Sequence, residues 1–389
     1  MKRVYLEPVW KLHMGYHRRE LIPYPPEGYE FVYPENHTNY LFEFMSRKVI
    51  GSSLRDKLGY VTPLHLLRSE TDMFLRKPPA ETALTMACNH IVLRNEPWVT
   101  EVASIWEDVG QNPEHFKRYK RTIENAFASS NCKGVLHFSN FVKDITLASL
   151  NCERFGEKLG VLPRAVHAKN FVKSDKDEVT LLFTGSANIV GGFDYRGGKE
   201  VLEVFRRLVA RFRNLHLILR SEVPQSYLAA YSDVLSRPEV TWIPGLVSER
   251  YMDEIYRQAD ILVLPAHYEN WLSVAEAMSY QLAVVGINTW GMSEFIRNNE
   301  TGVLVPESRF FKNTVGGIPW TGPHARSYLK RGPFPDLLTS LEEAISRLLE
   351  HPSLRRSIGS NARREVEEGC LSIRNRNRYL KKVYDDATS

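Results

Sequence analysis

The 389 residues carry 51 Lys and Arg against 46 Asp and Glu, a net charge of +5 spread along the chain, and 43% of them are hydrophobic. That length exceeds one typical core and suits two globular domains. The weak positive balance excludes a strongly basic nucleic-acid groove and fits an anionic small ligand or a weak membrane-surface contact. Cys88, Cys132, Cys152 and Cys370 form no C-x-x-C pair, so neither a zinc site nor a disulfide framework is suggested, and a reducing, cytoplasmic compartment is expected. The opening MKRVYLEPVW lacks the apolar core of a secretory signal, and runs such as Ala259 to Ala266 are too short to span a bilayer. A soluble or at most peripheral chain is expected.

In chain order, KRVYLEP, YEFVYP, ALTMAC, PWVTEV and GVLHFS read as strands of a first α/β domain. Polar groups at their ends are the candidates there: Asn89 and His90 after ALTMAC, Glu101 after PWVT, and Ser139 after GVLHF. Each is more often structural than catalytic, since a histidine commonly just hydrogen-bonds inside a fold. Trp10, Tyr16, Arg18 and Arg19 make an aromatic, basic stretch of the kind that touches a lipid headgroup, although an ordinary, partly exposed first domain explains it as well. The polar stretch Ser174 to Glu178 marks the domain boundary, giving domains over 1–174 and 175–370 and a final helical segment over 371–389. Asp175 and Asp177 fit a D-x-D metal motif, but their place in this linker reads as solvated charge.

Beyond the boundary, VTLLFT, LHLILR, VTWIPG, ILVLPA, AVVGIN and GVLVP alternate with helical spacings such as Val201, Phe205, Leu208, Val209 and Phe212. Six β/α steps predict a doubly wound parallel sheet, whose ligands lie beyond the carboxyl ends of the strands. Three strand-end loops carry the chemistry. The first runs from Gly185 through Gly191, Gly192, Arg196, Gly197 and Gly198 to Lys199; glycines let the backbone approach a phosphate, and a helix start with a guanidinium supplies donors. A flexible turn with a solvated arginine has the same composition.

The second loop runs from Pro265 to Met278 and holds Glu269 among His267, Tyr268 and Trp271, an aromatic setting that suits a sugar pocket. Glu276 would accept hydroxyl donors at a helix start, or would simply close a capping box with Ser273. The third, Asn288 to Glu294, places Gly291 at another helix start, with Ser293 as an alternative N-cap. A Pro/Gly-rich, aromatic insertion from Glu307 to Pro335 precedes a helix carrying Leu341, Ile345 and Leu348; long loops of this kind are often lids or contact surfaces.

Taken in order, these loops resemble the donor lobe of retaining, family-4-type glycosyltransferases of the GT-B fold, over about half the chain. The resemblance rests on FTG with Arg196–Gly197, on Pro265 to Met278, on Gly291 to Glu294, and on Gly302 to Val305. It implies two Rossmann-like lobes facing a cleft, with the last helix crossing back to the first. It also implies retaining transfer from a nucleoside diphosphate sugar to an acceptor hydroxyl on a carbohydrate or lipid-linked acceptor, with no metal or other cofactor and no nucleic acid. By position, Glu269 would face the donor sugar and Glu276 the ribose. Arg196 would replace the family lysine on the diphosphate, Gly185 would allow close approach, and Leu246 after VTWIPG would border the base. Asn270, Trp271, Leu272 and Ser273 would complete the donor contacts, and His90, Glu101 and Ser139 are the acceptor-side candidates.

Three departures from the family pattern stand out. Only six residues separate Glu269 from Glu276, where the family has seven. Ser186 stands where the family has an arginine, which leaves the diphosphate to Arg196 with help from Lys199 or Arg220. The glycine pair after the first strand is missing, with only Gly15 nearby. A GT-B-related nucleotide-sugar epimerase and a catalytically degenerate nucleotide-sugar-binding subunit therefore stay open beside the transferase.

Overall fold

The computed structural model describes residues 1–7, 16–33, 74, 77–109, 113–171, 173, 176–185, 192–268, 270–310, 314–315, 318–319 and 328–389. Trp10, Gly15, Asp175, Ser186 and Glu269 lie outside them. The chain forms two compact units, Met1–Arg164 with Arg374–Ser389, and Ala165–Ile373. Each is built on a six-stranded sheet whose strands pair in parallel.

The first unit holds β1 (Lys2–Glu7), β2 (Tyr29–Val32), β3 (Thr82–Cys88), β4 (Trp98–Val102), β5 (Cys132–His137) and β6 (Leu159–Val161), in the order β2-β1-β3-β4-β5-β6. β6 is too short to announce itself in the sequence. The strands are nearly continuous apolar runs because both faces are covered. Helix α1 (Pro113–Ala128) packs on one face, where Phe127 meets Trp98 and Phe155 at 6.3 and 5.5 Å between ring centroids. The C-terminal helix Ile373–Thr388 belongs to this unit from Arg374 onward; its Tyr384 is fully buried and donates to Met86 Sδ at 2.8 Å, while Asp385 accepts from Tyr29 at 2.7 Å.

His137, at the end of β5, is fully buried, with Nδ1 3.0 Å from Gly160 O and Nε2 2.9 Å from Thr146 Oγ1 on helix α2 (Asn140–Ser149). Burial pushes its pKa down to about 4, against the pull of the Gly160 carbonyl. The unfolded chain takes up this proton near pH 6.5 and the folded one only near 4, so stability falls as pH drops through that window. The expected loss is about 3 kcal/mol. Urea midpoints measured from pH 7 to 4 should show it, and His137→Asn should flatten that part of the profile; an unchanged slope in the variant would assign the acid sensitivity to other groups.

The second unit holds β7 (Val179–Thr184), β8 (Leu215–Arg220), β9 (Val240–Ile243), β10 (Ile261–Leu264), β11 (Ala283–Ile287) and β12 (Val303–Val305), in the order β12-β11-β10-β7-β8-β9. Its helices include α3 (Gly198–Leu208), α4 (Glu249–Gln258), α5 (Trp271–Ser279), α6 (Pro335–Glu350) and α7 (Pro352–Glu367). Strand order reverses between β7 and β10, and such a switch point is where an open α/β sheet leaves a crevice at its carboxyl edge. The Glu307–Pro335 insertion contributes a short antiparallel pair, β13 (Thr314–Val315) with β14 (Ile318–Pro319), and a tail in which Tyr328 stacks on Phe334. Much of its middle lies outside the described residues. Among these, no helix is long and apolar enough to cross a membrane.

Candidate functional site

The loops after β7 and β10 flank the switch point, and two glycines show how tightly they are built. A Cβ on Gly185 would lie 1.9 Å from Ser221 Oγ, so the close approach this glycine permits is to the neighbouring strand end. Gly197 has φ +77° and caps α3; a Cβ there would lie 2.4 Å from Pro265 O. Only glycine satisfies both the left-handed backbone and that contact. His267 N donates to Tyr195 O at 2.8 Å, a second tie between the two loops.

The third loop joins them through aromatic rings. Tyr195 meets Tyr268 edge-on at 6.1 Å, and Tyr268 meets Trp290 at 4.7 Å. Tyr195, Tyr268 and Trp290 thus come from the loops after β7, β10 and β11 and form one wall. Trp290 was not singled out from the sequence, where a lone tryptophan in a turn carries no spacing signal.

The helix starts differ from the sequence expectation. Asn270 is the N-cap residue of α5 and makes no side-chain cap bond, which puts Ser273 and Glu276 inside the helix and leaves the expected capping box unformed. Glu276, half-buried, instead accepts from Tyr256 Oη at 3.1 Å, and Tyr256 stacks on Tyr280 at 5.1 Å. Asn270 is buried and its Nδ2 donates back to Tyr268 O at 3.4 Å; Trp271 is buried against Phe295, while Leu272 and Ser273 are partly exposed. After β11, Gly291, at φ +72°, caps a single 3₁₀ turn, Met292–Glu294, and the exposed Ser293 lies within that turn instead of capping it.

The cations separate by burial. Arg196 is half-buried at the turn before Gly197. Lys199 is 2% exposed; its ammonium donates to Leu329 O at 2.6 Å and Gly332 O at 3.0 Å and stands 3.6 Å from Asp194, so it clamps the tail of the insertion onto the start of α3. Arg220 ends β8 beside Gly185. Leu246, after β9, is 69% exposed, an apolar surface that a planar ring could cover.

The candidates of the first unit are drawn into its interior. Ser139 is the N-cap of α2, accepting from Val142 N at 3.2 Å. His90 is buried, and its carbonyl accepts from Thr100 Oγ1 at 2.8 Å. Glu101 lies within β4, 1% exposed, 2.8 Å from His17 Nε2 and 3.8 Å from Arg164. Burial opposes its ionisation, but His17, Arg164 and Arg376 outweigh burial and hold its pKa below the usual range. Arg164 also lies 3.5 Å over the Phe138 ring. Glu7, at the end of β1, goes the other way: burial lifts it to about 7, because Arg94 at 2.6 Å is shared with Glu96 and offsets only part of the cost.

His17, Cys88 and Glu101 place ligand atoms within 4.8 Å of one another, the one such trio among the described residues. Two guanidinium groups act on the same carboxylate, which opposes a divalent ion and marks a charge-balanced core cluster. His17 and Arg376 are 84 and 275 residues from Glu101, so no local spacing could have revealed them. Tyr16, part of the stretch offered for a lipid headgroup, is buried beneath Arg164 at 4.8 Å from its ring, whereas Arg18 is exposed.

Residues 178–315 match the family model for glycosyl transferases group 1. That span covers the switch point and all three loops. Over 176 residues, 44% of this chain, the sequence is 23% identical to the capsular polysaccharide biosynthesis glycosyltransferase CapM of Staphylococcus aureus, of whose length the match covers 38%. Two solved structures resemble the whole chain: sucrose-phosphate synthase from Thermosynechococcus elongatus, at TM-score 0.64 and 14% identity, covering 99% of this chain and 98% of that one, and HepE from Anabaena, in complex with UDP and glucose, at TM-score 0.60 and 14% identity, covering 99% of each. The pair of Rossmann-like α/β units is the GT-B architecture expected from the sequence.

Proposed function

We propose that this chain is a glycosyltransferase that moves a sugar from a nucleoside diphosphate sugar to an acceptor hydroxyl with retention of configuration. The observation that carries the reading is the meeting of three loops at the β7/β10 switch point, Gly197 on Pro265 and Tyr195 on Tyr268 on Trp290, within the segment that matches the family model. HepE, of the same fold, was crystallised with UDP and glucose. On this reading Glu276 meets the ribose hydroxyls, Leu246 the base, Glu269 the donor sugar, and Arg196 with the first-turn N–H groups of α5 the diphosphate.

Catalysis then rests on electrostatic preorganisation. Neutralising the diphosphate lets the anomeric carbon–oxygen bond lengthen and break, the acceptor oxygen bonds to that carbon from the same face, and its proton passes to the departing phosphate oxygen. No metal or other cofactor enters the proposal. The acceptor is a carbohydrate or lipid-linked hydroxyl.

Melting against UDP, GDP, ADP and their sugar conjugates tests the donor assignment, since a ligand of the folded state raises its stability. One base should shift the midpoint selectively. With that donor, Glu269→Ala should abolish transfer and leave nucleotide affinity intact; unchanged turnover would remove Glu269 from the sugar site, and no shift with any nucleotide would overturn the whole reading.

A further inference from the structure

The donor loop has a charge deficit that the structure fills from a neighbouring strand. Position 186 is a serine, and the sequence from there to Tyr195 holds no lysine or arginine. Lys199 is held by two carbonyls and Asp194. Arg220 is placed differently. It is paired opposite Thr184 at the end of β8, Gly185 N donates to its carbonyl at 2.8 Å, and its Nη1 donates to Gly185 O at 2.7 Å. These bonds pin the guanidinium at the entrance of the glycine-rich loop.

Three features mark that guanidinium as a ligand group. The side chain is half-buried, so it keeps a path to solvent. Among the described residues its buried Nε has no hydrogen-bond partner, and no carboxylate lies within ion-pair distance of it. A buried, unmatched N–H of a charged group carries an uncompensated desolvation cost until something accepts it. Burial also holds its pKa down, while Tyr256 and Glu276 favour its charge; an arginine nevertheless stays protonated. Glu276, the group proposed above to meet the ribose, thus lies within electrostatic reach of the guanidinium.

We propose that Arg220 binds the phosphates of the nucleoside diphosphate, supplying from β8 the guanidinium that Ser186 does not. The inference rests on the nucleotide-sugar reading and decides between the two helpers that the sequence left open, choosing Arg220 over the enclosed Lys199. Its rival is a purely structural tether, in which Arg220 only holds Gly185 in place.

Calorimetric titration with the nucleoside, the nucleoside monophosphate and the nucleoside diphosphate of the base selected by melting separates the two, in wild type, Arg220→Met and Arg220→Lys. Arg220→Met should weaken the diphosphate about 10- to 100-fold, the monophosphate less, and the nucleoside about threefold or less, as loss of charge-assisted hydrogen bonds predicts. Arg220→Lys, which keeps charge without the fork, should recover part of the diphosphate affinity and serves if the methionine variant folds poorly. Equal losses across the three ligands in either variant would make Arg220 a tether or a ribose contact, and no loss would remove it from the site; both overturn the proposal. Should the wild-type protein bind no nucleoside diphosphate, the nucleotide-sugar reading falls first, so the two failures are distinguishable.

Discussion

Gly197→Ala is expected to cost about 2–5 kcal/mol of stability and to abolish measurable nucleotide binding. The left-handed backbone at φ +77° penalises any side chain by about 1–2 kcal/mol. The new methyl would also sit 2.4 Å from Pro265 O and 2.7 Å from Pro265 Cγ. The nearest obstacle is backbone, so the loops after β7 and β10 must part, and overpacking of this kind costs about 1–3 kcal/mol. Parting them displaces Arg196 on one side and the start of α5 on the other. Gly245→Ala is the matched control: its φ is +79°, but the space around it is open, so it should cost only the backbone penalty and spare binding. Urea unfolding followed by far-ultraviolet circular dichroism, with calorimetric titration beside it, checks both variants. Equal costs at the two positions would show that the Pro265 contact contributes nothing.

Arg376→Met should destabilise the first unit by about 3–5 kcal/mol and release its C-terminal helix. Arg376 is 2% exposed, and its fork donates to Glu20 O at 2.5 Å and Tyr24 O at 2.6 Å, with Asn377 Oδ1 at 2.8 Å and Tyr16 Oη at 3.4 Å. Losing it leaves two carbonyls without this donor and takes one cation from the surroundings of Glu101. The π-helical turn His17–Leu21, held by that fork, should loosen with it. Lysine should rescue little, because one ammonium cannot span both carbonyls in the plane of the fork. Hydrogen exchange would show faster amide exchange over residues 16–24 and 374–388 in the variant, with the second unit's β7 and β8 unchanged. Unaltered exchange in those two segments would mean that hydrophobic packing by Leu380 and Tyr384 holds the helix unaided.

These effects separate what pattern encodes from what packing decides. The runs VTLLFT and LHLILR were legible as β7 and β8 because a strand buried on both faces is an unbroken apolar run, and the segment around Val201, Phe205 and Leu208 was legible as α3 because a helix repeats at 3.6 residues. Glycine spacing then located the first loop. The helix starts were not legible. Ser273 and Glu276 have the spacing of a capping box, yet α5 begins at Trp271, after a loop whose Pro265 and His267 are held by Gly197 and Tyr195 from a different loop.

Charge roles were still less accessible. Lys199 follows a glycine pair and Arg220 ends an apolar run, both basic residues at element ends in the sequence, but one is enclosed by the tail of the insertion 130 residues on, and the other is aimed at Gly185 by strand pairing. Glu101 read as a strand-end acid and is the centre of a buried cluster with His17, Arg164 and Arg376. By itself, then, the sequence determined the two α/β units, nearly all their strands, and the strand-end position of the three loops, since these follow from local periodicity. The tertiary structure alone decided which cation faces solvent, which acid is neutralised inside, and which residue caps each helix. Those outcomes depend on partners distant in the chain and on burial, and neither leaves a mark at the residue's own place in the sequence.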